Sequence, residues 1–210
     1  MRMFSDGLTV VKKMKPLLIM VAILYLLSYV AGWYLITLKI PLAVQIKQGI
    51  HNAVLTEEPF TFVLGFLQRG ELLQAILATF AVNLTVGAFL TTTLPGMLPL
   101  VGALAIVAVT VFRGFTIGVT YPEVLAASPV TLVLGMGTLI LELGAYVFSG
   151  AAGINIAVAP LFPQRYSTGS RITAFKRAWI DAARIFTIVA VLLILGAIWE
   201  MTGIFLISYG

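Results

Sequence analysis

Five long apolar runs constrain this chain more than any other feature of its sequence. They occupy residues 16–38, 72–94, 97–119, 129–152 and 183–207. A helix needs about 20 apolar residues to cross the hydrocarbon core of a bilayer, and each run is long enough. Hydrophobic residues make up 60% of the chain and charged residues only 10%, more than the core of a soluble domain can hide. The sequence therefore predicts an all-α, polytopic membrane bundle forming a single membrane domain over residues 1–210.

Basic residues cluster at two places and set the expected orientation. Arg2, Lys12, Lys13 and Lys15 precede the first run, and five more lie in or beside the connection at 160–182. The first run is too long for a signal-peptide core and lacks an Ala-x-Ala-like cleavage site, so we expect a retained anchor. Because Lys and Arg concentrate in cytoplasmic loops, we expect a multi-pass protein of the cell membrane. Its N-terminus would be cytoplasmic and its C-terminus extracytoplasmic.

The connection between the first and second apolar runs, expected on the outer side of the membrane, carries a helical pattern of its own. Apolar residues recur at helical spacing from Leu42 to Val54 within the segment 41–68. This pattern predicts an amphipathic helix lying on the membrane. For residues 59–68, an interfacial or re-entrant placement and a plain lead-in to the second span both stay open.

The inner basic loop 160–182 also has helical spacing near its end. Thr173, Arg177, Asp181 and Arg184 form a polar stripe beside an apolar one. This arrangement suits a basic interfacial helix on an anionic leaflet, and ordinary flanking charge explains it equally simply.

The residue types that most chemistry requires are scarce. The chain has no cysteine, which excludes disulfides, thiolate catalysis and cysteine-based metal sites. Its one histidine, His51, lies in the outer segment, and no nucleophile elbow, HExxH or phosphate loop is present. The net charge of +5 is confined to the gaps between apolar runs, as lipid headgroup contacts would be. We therefore expect no enzyme activity, no cofactor, no metal and no nucleic-acid partner.

Polar side chains inside a span are costly unless paired, so four of them are candidate functional residues. They are Asn83, Arg113, Glu142 and Glu200. By rise along the helices, Asn83 and Glu142 fall near the midplane, with Arg113 and Glu200 about 8 Å nearer the outer face. We expect a hydrogen bond in the first pair and a salt bridge in the second. These contacts could be interhelical packing bonds, a proton or ion site at Glu142, or a partner-binding surface.

Small residues recur at the spacing that lets helices approach closely. Gly114 and Gly118 form a GxxxG motif, and Ala145, Ser149 and Gly153 repeat every four residues. Such stripes are typical of tight helix–helix contacts in membranes. We expect these two helices to pack against each other, with a homodimer contact as the alternative.

Four segments, taken in order, resemble a known family. They are Phe80–Leu84 with its central Asn, Arg113–Gly118 with its GxxxG, Leu141–Ala145 with its Glu, and the small-residue stretch Ser149–Gly153. Over residues 80–160 they are similar to the stage II sporulation protein M family of polytopic membrane proteins. That family usually has a His-Gly pair just before the Glu, where this chain has Thr138–Leu139. The resemblance implies a helical membrane protein, and its namesake scaffolds cell-wall hydrolases during engulfment.

Two functions from different classes follow. The first is a non-enzymatic membrane scaffold or assembly protein that holds an envelope partner through segment 41–68 or through the bundle. The alternative is the membrane subunit of a transporter, with Asn83 and Glu142 lining a path and a separate ATPase supplying any ATP-driven step. The lipid bilayer is the expected environment in either case, and homo-oligomerisation stays open.

Overall fold

The fold is all-α, as predicted. The computed structural model describes residues 2–209, with side chains for all of these except 2–6, 124–125 and 209; Met1 and Gly210, which the predicted domain included, lie outside the described residues. The helices are α1 Arg2–Thr37, α2 Pro41–Thr56, α3 Phe60–Gln68, α4 Leu72–Val82, α5 Val101–Ala127, α6 Pro129–Thr138, α7 Gly144–Val158 and α8 Arg171–Tyr209.

Five stretches are long and apolar enough to cross a membrane, which confirms the predicted number. They are Gly7–Thr37, Leu72–Met97, Val101–Glu123, Pro129–Val158 and Arg171–Ser208. The second includes the π-helical segment Asn83–Leu90, and the fourth joins α6 to α7 through a second π-helical segment, Leu139–Leu143. The part of the chain that the structure describes thus has five stretches able to cross a membrane, with α2 and α3 placed between the first two.

Several helices begin or end outside the predicted apolar runs. The helix of the third run begins at Val101 and not at residue 97, because Leu94–Met97 form a tight 3₁₀ turn that the neighbouring prolines favour. The helix of the fifth run begins at Arg171, inside the predicted loop 160–182. Helix formation starts there because Ala174, Ala178 and Ala182 repeat every four residues and bury that face against the bundle.

The glycines of α5 pack against α1. Gly114 lies against Ser28, Gly118 lies against the Tyr29 carbonyl, and Gly32 of α1 lies against α5 in return. A β-carbon at any of the three would collide with the facing helix. The two helices expected to pack together do so, with Ile106 of α5 against Gly153 of α7. The Gly114 and Gly118 face is not part of that contact, because a GxxxG motif marks a close-approach face without specifying its partner.

The small residues of α7 instead pack against the turn that follows the first π-helical segment. The Ser149 hydroxyl lies 2.8 Å from the Thr92 hydroxyl, and Gly153 is in contact with the backbone of Thr92 and Gly96. Ala145 is fully buried on the same helix. This stripe makes α7 the most enclosed helix of the bundle.

The predicted outer segment is two helices folded onto one end of the bundle. Ala43 of α2 is buried, and Lys47 forms an ion pair with Glu123 at the end of α5. After α3, a turn at Gly70, with φ of +76°, reverses the chain so that α3 packs on α4 and α8 through Leu67. α3 is therefore a separate helix folded back on α4, and not a straight lead-in to it.

Candidate functional site

Asn83 and Glu142 meet across the bundle. The Asn83 side-chain amide donates to Glu142 Oε1 at 2.7 Å, the hydrogen bond expected from their common depth. Asn83 opens one of the two π-helical segments found among residues 2–209, and Glu142 lies inside the other. In the first, the Thr91 N–H reaches five residues back to the Val86 carbonyl at 3.1 Å. Such widened turns occur frequently at functional sites.

Glu200 of α8 completes the group. Its carboxyl group lies beside that of Glu142, close enough for the two to hydrogen-bond. Gly196, one turn before Glu200, allows this approach, since a β-carbon there would lie 3.1 Å from Glu142 Cγ. Two carboxyl groups can hydrogen-bond to each other only when at least one of them is protonated, because two carboxylates repel. The pair is thus built to hold a proton or to bind a cation.

Arg113 does not pair with Glu200, so the predicted salt bridge is wrong. Its guanidinium donates to the Gly87 carbonyl at 3.3 and 3.4 Å and to the Thr91 hydroxyl at 3.1 Å. It also lies over the Tyr146 ring, 4.1 Å from the ring centroid. Gly87 lies four residues after Asn83, and Tyr146 lies four residues after Glu142. The Arg113 side chain therefore points about one helical turn away from the acids.

A cavity of about 410 Å³ opens beside the acidic pair. Its polar wall is formed by Thr79, Asn83, Tyr121, Glu142 and Glu200. The Thr79 hydroxyl is buried and has no hydrogen-bond partner. The opposite wall is apolar and comes mainly from the last turns of α2, from α3 and from the end of α8. The outer segment therefore roofs the site, a role its sequence does not reveal.

A second, smaller cavity lies on another side of Glu142. It has a volume of about 110 Å³ and is lined in part by Thr138, Tyr121 and Tyr146. Thr138 occupies the position at which the resemblance places a histidine in the family. Its hydroxyl donates to the Leu134 carbonyl at 3.1 Å, so it makes no bond to Glu142. Glu142 is thus flanked by space on two sides.

A second buried polar cluster lies at the end of the bundle opposite to α2 and α3. This end carries most of the Lys and Arg residues, and we call it the basic end. Asp181 accepts from Lys13 at 2.8 Å and from the Tyr166 hydroxyl at 3.0 Å, and Asn155 donates to that hydroxyl at 2.6 Å. The Arg177 guanidinium donates to the Tyr166 carbonyl at 2.5 Å. Burial raises the pKa of Tyr166. This network joins α1, α7 and α8.

Sequence reasoning missed this second cluster. It placed Asp181 on the polar stripe of an interfacial helix, whereas the structure leaves Asp181 only 7% exposed. The available signal was that Asp181 sits among Ala178, Ala182 and Ile185, which are all buried on the same helix face. The lysine that compensates it lies 168 residues earlier in the chain, beyond the reach of local patterns.

Side chains that commonly bind metal ions do not cluster in the described part of the chain. Among residues 2–209, no group of three or more His, Cys, Asp or Glu side chains could hold a metal ion. His51 lies exposed on α2, away from the two acids.

The comparisons with known proteins identify a family. The family model of stage II sporulation protein M matches residues 21–202, which extends the resemblance of residues 80–160 to most of the chain. No curated protein and no solved structure matches the chain. The matched region contains the second, third and fourth long apolar stretches whole, the second half of the first, all but the end of the fifth, and every residue of the acidic site. The chain therefore belongs to the stage II sporulation protein M family.

Proposed function

We propose that this protein is the membrane subunit of a transporter in which Glu142, Glu200 and Asn83 bind a proton or a monovalent cation. One observation carries the proposal: two carboxyl groups lie side by side inside a span, at the wall of a cavity that no Lys or Arg lines. Because no cationic side chain reaches this cavity, a cation from outside can complete the acidic pair.

A purely structural role explains this arrangement less well. Interhelical packing bonds join a donor to an acceptor, as Asn83 and Glu142 do, and contribute about 0.6 to 2 kcal/mol. Adding Glu200 brings a second acid where packing alone would favour a donor or an apolar side chain. The like pair costs stability, and such costs concentrate at functional sites.

The two sides of Glu142 suit a site with separate entry and exit. The larger cavity lies under α2 and α3. On the other side, the contacts of Arg113 with Tyr146 and Thr91 block the path from Glu142 to the basic end. We place the basic end in the cytoplasm, following the distribution of Lys and Arg. Release on that side would require Arg113 and Tyr146 to separate. We propose no catalytic step, so energy from ATP would come from another chain.

The test is proton movement through the Glu142→Gln variant. The full chain is reconstituted in vesicles loaded with a pH-sensitive dye, and a potassium diffusion potential drives protons inward. We expect the unsubstituted protein to speed acidification and Glu142→Gln to abolish that increase. Glu57→Gln is the matched control, because Glu57 is exposed in the outer segment. Absence of flux, or flux that survives Glu142→Gln, contradicts transport at this site.

A scaffold is the second candidate, supported by the family and by the outer segment. α2 leaves Leu42 61% and Leu55 60% exposed at one end of the bundle. Ile46, on the face predicted to hold a partner, is half-buried, so Leu42 is the better probe. A scaffold predicts that a cell-wall hydrolase co-purifies with the protein and is lost with Leu42→Asp. Retention of the hydrolase by that variant contradicts this contact surface.

A further inference from the structure

The cavity beside Glu142 and Glu200 combines three features that together select a chemical class of ligand: its size, its mostly apolar wall and its unbalanced charge. Its volume of about 410 Å³ is far more than a bare metal ion or a single water needs. This size falls within the usual range for sites of small organic molecules. The cavity is therefore suited to a molecule, and not to a proton alone.

The polar wall is rich in hydrogen-bond acceptors. Glu142 and Glu200 offer carboxyl oxygens, and Asn83 retains its carbonyl oxygen because its amide already donates to Glu142. Thr79, a residue that is 7% exposed, adds a buried hydroxyl that makes no hydrogen bond within the protein. A buried hydroxyl without a partner is costly, and a bound donor would remove that cost. This wall is built to receive N–H or O–H donors.

The charge of the wall favours a monocation. If the two acids share one proton, they keep a single negative charge, and no Lys or Arg lines the cavity. The charge of Arg113 acts on Glu142 from one turn away, but its guanidinium is held there by Gly87, Thr91 and Tyr146. An anion would meet repulsion at the two acids, and a neutral ligand would leave them without a cation in contact.

The rest of the wall is apolar. Phe60, Val63 and Leu64 of α3 face Met201 and Ile204 of α8. Phe60 is also 47% exposed, so this side of the cavity reaches the protein surface. An apolar ligand body would be buried there at a gain of about 25 cal/mol per Å².

We infer that the cavity binds an organic monocation, an ammonium group carried on an apolar body. The nitrogen lies between Glu142, Glu200 and the Thr79 hydroxyl, and the body lies against α3. That this ligand is also the transported cation rests on the proposed transport function. An amphiphilic cation of this kind concentrates at the membrane surface, where Phe60 offers a way in.

Binding of four small probes tests the inference on the full chain in nanodiscs of zwitterionic lipid. Hexylammonium has both charge and apolar body, hexanol and hexanoate share the body, and methylammonium has the charge alone. We expect hexylammonium to bind at least tenfold more tightly than each of the other three. Equal binding of hexanol or of methylammonium, or no binding of any probe, overturns the inference.

Two variants test where the ligand binds, so that the result stands even if one of them fails to fold. The double substitution of Glu142→Gln with Glu200→Gln removes the negative charge of the pair at nearly constant shape, and Leu64→Trp fills the apolar side without touching the acids. Each should weaken hexylammonium binding at least tenfold, whereas Leu55→Trp, on the exposed side of α2, should leave it unchanged. Binding that survives in a folded Leu64→Trp protein overturns the site.

The two proposals fail separately. Proton flux that depends on Glu142, without preference for hexylammonium, overturns the ligand class and leaves transport standing. Selective hexylammonium binding, with flux that is absent or independent of Glu142, overturns transport and leaves the ligand site standing.

Discussion

At the basic end of the bundle, Asp181 is buried with Lys13 and Tyr166 around it, whereas Glu142 is buried within a span beside another acid. Both sites place a carboxyl group where water is scarce. The first is satisfied by side chains of the same chain. The second keeps an acidic pair, a free hydroxyl and a cavity. The difference separates a cluster that holds helices together from one that is complete only with a ligand or a proton.

The largest effect should come from breaking the satisfied cluster. Asp181→Ala removes the acceptor of both Lys13 and Tyr166, so we expect it to destabilise the protein by about 3 kcal/mol. The midpoint of thermal unfolding in mild detergent measures this loss. Lys15→Ala, at an exposed position of the same end, is the control. An unchanged midpoint for Asp181→Ala would show that the network does not join the helices.

The opposite sign is expected in the acidic pair. Glu200→Gln gives Glu142 an N–H donor that requires no shared proton, so we expect stability to rise by about 2 kcal/mol while proton flux falls. Unfolding midpoints and vesicle flux are measured on the same preparation. A strongly destabilised Glu200→Gln protein would assign the pair to structure and remove the contrast between the two clusters.

A smaller contrast is available in two buried threonines. Thr79→Val removes a hydroxyl that has no partner, and we expect it to stabilise the protein by about 1 kcal/mol. Thr92→Val removes a hydroxyl bonded to Ser149 and to the Ala88 carbonyl, and it should cost about 1 kcal/mol. Unfolding midpoints with the same sign for both variants would contradict this account of the cavity wall.

The smallest effect is a pH dependence in the satisfied cluster. Burial raises the pKa of Tyr166 above its ordinary value of about 10, so the folded state holds the phenol proton more tightly than the unfolded chain. The resulting stabilisation is complete below about pH 10 and is lost as the pH rises towards the raised pKa. The stability difference between the unsubstituted protein and Tyr166→Phe should therefore shrink between about pH 8 and about pH 10.5. A constant difference contradicts the assignment.

Much of the fold was predictable because apolar run length reports spans directly. The depth of a residue along its helix follows from the same runs, which is why Asn83 and Glu142 were paired correctly. Depth does not reveal which helices are neighbours or where long side chains point. For that reason Arg113 was paired with Glu200, although its guanidinium reaches one turn away to Gly87.

Three further features had no local signal. The GxxxG of Gly114 and Gly118 marked a close-packing face, but its partner on α1 depends on the order of helices in the bundle. The cavity exists because α3 folds back over the acids, and this follows from the turn at Gly70 together with packing on Met201. The π-helical winding at Asn83 and Glu142 departs from the spacing that an ordinary helix predicts.

That winding has a consequence for how the family's sequences are to be aligned. A π-helical turn arises when a residue is inserted into an α-helix, and one residue corresponds to about 100° of rotation. Because the widened turn absorbs this extra residue, deleting one residue from Leu139–Leu143 would restore ordinary winding with little rotation of α7 relative to α6. The Ser149 stripe would keep facing Thr92, but each of its residues would stand one position earlier in the sequence. Family members with a one-residue gap in this segment should therefore carry their small-residue stripe on a different heptad phase, and an alignment that ignores the gap would match lipid-facing positions to core positions.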